Sequence, residues 1–326
     1  MLLVAAAVLS GKWAYASDMT LVISVSTPAY ALHVSDRLVS KGGRPHDPLA
    51  NKTVVVRASD GLLVIGYTGL AFCDGRTTDS WIANVITNDE LIDEPRALMG
   101  FGAFSVRDVG LTLTSLANRI RADAMFRRHG LQLAATGWQW DKRRRRRPMR
   151  NVLWCTQNHA STVQWQQLVP RYPPERTTTF KLNMLGDWPL AKRDAVELLD
   201  EVRQAGTDWR HAEQQVIGAI RRCSARKPGT IGPHCMSVAL PASGPAFAEI
   251  RFAPAEVHHA VVLDQAVETA YSPWVIAPDG VVAPSIIVGD GWHFRTGPLT
   301  VRIRGPAVPD EQQLRAGVSL QARPRT

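Results

Sequence analysis

Met19-Thr20-Leu21-Val22-Ile23-Ser24-Val25 opens the stretch that decides the fold. It runs on through Val34-Ser35-Asp36-Arg37 and Asn51-Lys52-Thr53-Val54-Val55-Val56 to Ile65-Gly66-Tyr67-Thr68-Gly69-Leu70-Ala71. Each piece is a short apolar run rich in β-branched residues and bounded by Gly, Pro or Asp, the pattern of a buried strand. Between the second and third pieces, Lys41-Gly42-Gly43-Arg44-Pro45-His46-Asp47-Pro48 has the composition of a loop. Thr20, Asp36 and Lys52 stand sixteen residues apart, one in each of the first three of these pieces.

These residues resemble the start of a proteasome β-subunit and its bacterial relatives, within the N-terminal-nucleophile (Ntn) hydrolase superfamily. In that family a threonine opens the mature chain on a buried strand, an aspartate ends the second strand, and a lysine and a glycine turn follow. The resemblance therefore implies Thr20 as nucleophile, Asp36 and Lys52 as its charged partners, and Gly69 as the oxyanion-binding N–H, about three residues late. The Ala58-Ser59-Asp60-Gly61 turn can absorb that offset. Asp36 is followed directly by Arg37, without the family's intervening serine.

The chemistry explains why these types belong together. A threonine hydroxyl needs a base, and a chain-terminal α-amine with a pKa of about 8 can serve. A lysine ammonium beside it would lower that pKa and stabilise the alkoxide-like state, and an aspartate would hold the lysine charged and oriented. A glycine N–H aimed at the developing oxyanion completes an acyl-transfer site.

With 326 residues, 45% hydrophobic and 21% charged, the chain can bury a sizeable core. No run of about eighteen apolar residues appears, so no membrane span is expected. Cys73, Cys155, Cys223 and Cys235 form no Cys-x-x-Cys pair, which favours reduced thiols and a cytoplasmic location. Residues 1–19 are expected to be a leader or propeptide, or a start assigned too early, with Met19 the initiator. Leu2 to Leu9 and Ala14-Tyr15-Ala16 resemble a signal peptide without a basic n-region, and secretion follows if residues 1–16 act as one. Cleavage after Ala16 would leave Thr20 blocked.

Downstream, Asp79 to Ile86 and Ser105 to Arg128 have helical spacing, and Leu131 to Trp138 with Met149 to Thr156 has that of a hairpin. The hairpin tip carries six consecutive basic residues, Lys142 to Arg147. The Arg143–Arg147 tract is the only hint of nucleic acid. Without interleaved aromatics, a solvated tip or a contact with an acidic surface is the better reading. Ala191 to Gln204 and Arg210 to Ser224 are two further amphipathic helices, expected to bury Val196, Leu199 and Val202, and Val216, Ile217 and Ile220. Asp187 stands where the family has a serine that supports the nucleophile, and it could equally cap the following helix. In Lys227-Pro228-Gly229-Thr230-Ile231-Gly232, Thr230 takes a second serine's place, while Lys227 replaces the family's aspartate. His258-His259 and His293 lack a third ligand at a defined spacing, so no metal or cofactor is expected.

The expected fold is α+β, a four-layer αββα sandwich over residues 20–243, with a β-rich C-terminal extension over 244–326. The expected function is an Ntn-type amide or peptide hydrolase of threonine-peptidase type; self-assembly, with a ring as its form, is what the family resemblance alone implies. The alternative is a catalytically inactive, proteasome-like structural subunit, which the changes at Lys227 and Thr230 favour. A nucleic-acid-associated protein is the third reading.

Overall fold

The computed structural model describes residues 20–41, 44–73, 76–88, 99–101, 106–123, 125–126, 131–140, 146–155, 165–167, 181–186, 188–253, 270–284, 286–287, 293–296 and 299–304. Residues 1–19, Lys142 to Arg145, Asp187, His258-His259 and residues 305–326 lie outside the described residues.

Fifteen strands build two large sheets. They are β1 (Leu21–Ser26), β2 (Tyr30–Asp36), β3 (Thr53–Ala58), β4 (Gly61–Gly69), β5 (Met99–Phe101), β6 (Leu131–Trp140), β7 (Arg146–Cys155), β8 (Trp165–Gln167), β9 (Lys181–Gly186), β10 (Cys235–Pro241), β11 (Phe247–Ala253), β12 (Trp274–Ala277), β13 (Gly280–Val282), β14 (His293–Thr296) and β15 (Leu299–Arg304). The seven-stranded sheet runs β9-β1-β2-β10-β11-β15-β14, and the eight-stranded sheet runs β8-β7-β6-β4-β3-β12-β13-β5. Neighbours are antiparallel except β11 with β15 and β3 with β12. Among the described residues the helices are α1 (Thr78–Ile86), α2 (Val109–Ala122), α3 (Trp188–Ala205) and α4 (Trp209–Arg226).

The period-2 geometry of a strand sends alternate residues to opposite faces. Leu21, Ile23 and Val25 of β1, with Leu32 and Val34 of β2, pack on Leu198, Val202, Val216 and Ile220 of α3 and α4. On the eight-stranded sheet, Val54, Val56, Leu63 and Ile65 meet Ile82 of α1 and Leu113, Leu116 and Ile120 of α2. A third cluster joins the sheets themselves, with Val55, Leu62, Val64 and Trp138 from one and Met236, Val238, Leu240 and Ile250 from the other. Each fully buried Leu, Ile or Val in these clusters contributes about 1.5–3 kcal/mol.

The helices sit where their spacing puts them, with two changes. Asp108 ends the α2 pattern early on its N-terminal side by accepting the Leu111 N–H at 2.8 Å, and the helix closes at Asp123. On α3, Val196 is 72% exposed. The buried stripe is Leu198 and Val202, four residues apart, and a residue two positions from Leu198 falls on the opposite side of the helix.

The turn at Ser243-Gly244 links β10 to β11 as an antiparallel hairpin. Beyond it, β11, β14 and β15 widen the seven-stranded sheet, and β12 and β13 widen the other. One close approach fixes the spacing of the sheets. A Cβ on Gly66 of β4 would lie 2.1 Å from the His33 ring of β2, so only glycine fits there.

Candidate functional site

Thr20 lies just ahead of β1 and is buried. Its backbone carbonyl presses on Gly186 at the end of β9: a Cβ there would sit 1.6 Å from the Thr20 oxygen, and Gly186 has φ +85°. Asp36 ends β2, and its Oδ1 accepts the Leu21 N–H at 2.9 Å, tying the start of β1 to the end of β2. Oδ2 accepts the N–H groups of Leu38 at 3.1 Å and Gly232 at 3.0 Å. Three backbone donors thus hold the carboxylate before any cation is counted.

Lys52 leads into β3 and is 2% exposed. Its Nζ donates to Thr20 Oγ1 at 2.8 Å, to Asp36 Oδ1 at 3.3 Å and Oδ2 at 3.2 Å, and to the Leu38 carbonyl. An ammonium has three protons, so these acceptors share them, and the charge stands directly on the threonine hydroxyl. A buried ammonium is tolerated because its carboxylate partner and the Leu38 carbonyl replace its water.

The loop that brings Lys52 to Asp36 is clamped by Arg37. The Arg37 guanidinium donates to the Leu49 carbonyl and lies 4.8 Å over the Phe252 ring, and the Arg37 carbonyl accepts the Ala50 N–H at 2.9 Å. Sequence reasoning passed over Arg37 because its only visible signal was adjacency to Asp36. Gly232 was quoted for its motif and given no role of its own. A Cβ there would come within 2.7 Å of Leu38 Cβ, so the glycine is what lets its N–H reach Asp36.

The structure brings Thr20, Asp36 and Lys52 together. Gly69 ends β4 with φ +97°, one residue after Thr68, whose methyl lies 3.3 Å from the position a Gly186 Cβ would take. Thr230 turns elsewhere: its Oγ1 donates to the Lys227 carbonyl at 3.3 Å within the turn that ends α4. The contact that this loop makes with Asp36 is the Gly232 N–H. Asp187 lies outside the described residues.

Two other groups near the site have chemistry of their own to account for. Burial, with Asp36's charge a smaller cause, pushes the Cys235 thiol up to about 12, so it is no thiolate nucleophile at neutral pH. His33 Nδ1 pairs with Ser24 Oγ at 2.9 Å, and burial drives the imidazole down to about 3, so the ring is neutral in the folded protein. No group of three or more His, Cys, Asp or Glu among the described residues is arranged to hold a metal ion. Among the described residues no helix is long and apolar enough to cross a membrane.

No family model and no curated protein matches the chain. Solved structures similar to it include eukaryotic HslV from Trypanosoma brucei, 19% identical over 68% of this chain and 99% of that one, with a TM-score of 0.41. Two others are Anbu (ancestral beta-subunit) from Yersinia bercovieri and an Anbu (Gly-1) mutant from Hyphomicrobium sp. strain MC1. The first is 12% identical over 68% of this chain and 82% of that one, and the second 10% over 67% and 80%; both have a TM-score of 0.44. What the site can do is set by its own geometry.

Proposed function

We propose that this chain is an N-terminal-nucleophile hydrolase of amides or peptides, built as a four-layer αββα sandwich, with Thr20 as nucleophile once residues 1–19 are removed. One observation carries the reading: the buried Thr20 Oγ1, Lys52 Nζ and Asp36 carboxylate stand in hydrogen-bonded sequence at 2.8 Å and 3.2 Å. Lys52 donates to the hydroxyl, so it stabilises the developing alkoxide and the base must be another group. The α-amine that cleavage before Thr20 would free is that base. Oγ1 attacks the substrate carbonyl carbon and its proton passes to the amine. The tetrahedral oxyanion is held by the Gly69 N–H, the amine's proton goes to the leaving nitrogen, and water then hydrolyses the Thr20 ester to a carboxylic acid.

The test pairs intact mass with labelling by a peptide vinyl sulfone or epoxyketone. A mature chain beginning at Thr20 and modified once, at Thr20, is expected. A purified chain that cleaves peptides while still carrying residues 1–19 overturns the maturation step.

The second reading, an inert structural subunit of the same fold, is favoured by Thr230, whose hydroxyl is spent on the Lys227 carbonyl. It requires that wild type resist the electrophile. Self-assembly into a homo-oligomer, ring or otherwise, and a cytoplasmic location belong to the proposal in either case.

A further inference from the structure

A cavity of about 380 Å³ opens beside the site, lined by Val39, Asp47, Asn51, Tyr67, Asp79 and Tyr271 among others. Its walls are made by the same segments that hold the catalytic groups. Val39 follows Leu38, whose carbonyl accepts from Lys52 Nζ; Asn51 precedes Lys52; and the Tyr67 N–H donates to the Lys52 carbonyl at 3.1 Å. The volume is that of a pocket for a single side chain or a small ligand.

Two buried acceptors on this lining have no donor. Asp79 is 4% exposed, and its carboxylate accepts from the Thr77 hydroxyl and the Ser80 N–H while Oδ1 carries no hydrogen bond; Asn51 is 8% exposed and its Oδ1 carries none either. The Asn51 amide nitrogen is already committed to the carbonyls of Tyr271 and Ser272, at 2.9 Å and 2.8 Å. A second carboxylate, Asp47, lines the cavity, and among the described residues no lysine or arginine does. Acids are common in the first turn of a helix, where Asp79 lies on α1, because the dipole favours them. That preference explains neither the burial of this one nor the unbonded acceptor beside it on a different element. Buried polar groups without partners call for a specific cause. A ligand with several N–H donors and a positive charge would supply what both oxygens lack, since an ammonium carries three donors and a guanidinium five.

We propose that this cavity binds the cationic end of a lysine-, arginine- or polyamine-like ligand, with Asp79 as counter-ion and Asn51 Oδ1 as a second acceptor. Resting on the hydrolase reading above, it is the pocket through which that enzyme selects substrates with a basic side chain next to the bond cleaved. Tyr67 and Val39 take the aliphatic stem, and Tyr271, 42% exposed, stands at the rim.

The experiment has two arms on the full chain. In the first, benzamidine and n-butylamine are compared with neutral benzamide and n-butanol by thermal unfolding. Saturable stabilisation by the cations alone is expected, weakened at least about tenfold in Asp79→Asn. Equal shifts by the neutral analogues, or cation binding unchanged in Asp79→Asn, overturn the proposal; if that variant does not fold, the wild-type comparison decides alone. In the second arm, fluorogenic peptides with Lys or Arg before the scissile bond are compared with Leu, and the basic-to-Leu ratio of kcat/KM is expected to exceed one and to fall in Asp79→Asn. Thr20 labelling by an electrophile without a preference for basic peptides overturns this inference and leaves the hydrolase standing. Saturable cation binding by a chain that neither labels nor cleaves upholds the cavity as a cation site and overturns the hydrolase.

Discussion

Replacing Lys52 with Met keeps the aliphatic volume of a side chain that is 2% exposed and removes only the ammonium. Breaking a buried ion pair by deleting one partner costs about 3–5 kcal/mol, most of it from the charge left behind. Here Asp36 keeps the N–H groups of Leu21, Leu38 and Gly232, so the loss belongs at the lower end, about 3 kcal/mol. Asp36→Asn should cost about as much for a different reason. The oxygen best kept is the one facing Leu38 and Gly232, which turns the new NH2 group toward the Leu21 N–H, donor against donor. The double variant leaves no unpaired charge, so its loss should fall short of the sum by about 2 kcal/mol. Urea unfolding of the four proteins at neutral pH measures this directly, and electrophile labelling of Thr20 should vanish in both lysine variants. Additivity within about 0.5 kcal/mol would refute the pairing, and labelling that persists in Lys52→Met would refute the mechanism whatever the fold.

Gly186→Ala drives a Cβ onto the Thr20 carbonyl at φ +85° and should cost about 3 kcal/mol or more in thermal unfolding; Gly206→Ala, at φ +58° with nothing within 4 Å, should cost about 1–2. Equal losses would show that the approach to Thr20 is not tight. Thr230→Ala should cost under about 1 kcal/mol and leave labelling intact, whereas Gly232→Ala, which pushes on Leu38 and pulls an N–H from Asp36, should lower both stability and labelling. His33, held near 3 in the fold against an unfolded value of 6.5, lets the unfolded chain take up its proton first. Its contribution is complete above about 6.5 and is lost as pH falls toward 3, by about 1.4 kcal/mol per unit and about 5 in all. Asp79, raised to about 6 by burial, acts oppositely on acidification, so the measurement is the difference in acid dependence between wild type and His33→Asn; identical slopes would exclude the effect.

Much of this was legible in the sequence where local chemistry and tertiary demand agree. The β-branched runs over 21–25 and 53–56 became strands because both of their faces are buried, and the 3.6-residue spacing of Leu113, Leu116 and Ile120 marked a helix that lies on one sheet. The Thr20, Asp36 and Lys52 spacing was readable only through its resemblance to a known family pattern, since each residue alone has the look of a turn or surface position. What stayed hidden depends on contacts between distant segments. Gly232 meets Asp36 across 196 residues, and Asn51 meets Ser272 across 221, distances over which no periodicity informs. Val196 misled because adjacent apolar residues on α3 offered two phases for the stripe, and only packing against Leu32 and Val34 selects one.

The two parallel pairings have a consequence in time. Strand β3, which follows Lys52 directly, is closed on one side by β12 at residues 274–277, and β11 is closed by β15 at residues 299–304. During synthesis, therefore, residues 20–52 carry the threonine, the aspartate and the lysine out of the ribosome long before the aspartate's third N–H or the lysine strand's outer neighbour exists. Contacts of such sequence separation form slowly, because loop closure precedes the reward for it. The nascent chain thus emerges with its hydroxyl, ammonium and carboxylate present but unassembled, and the three groups gain their full set of neighbours only after Gly232 and the strand at residues 274–277 have followed them.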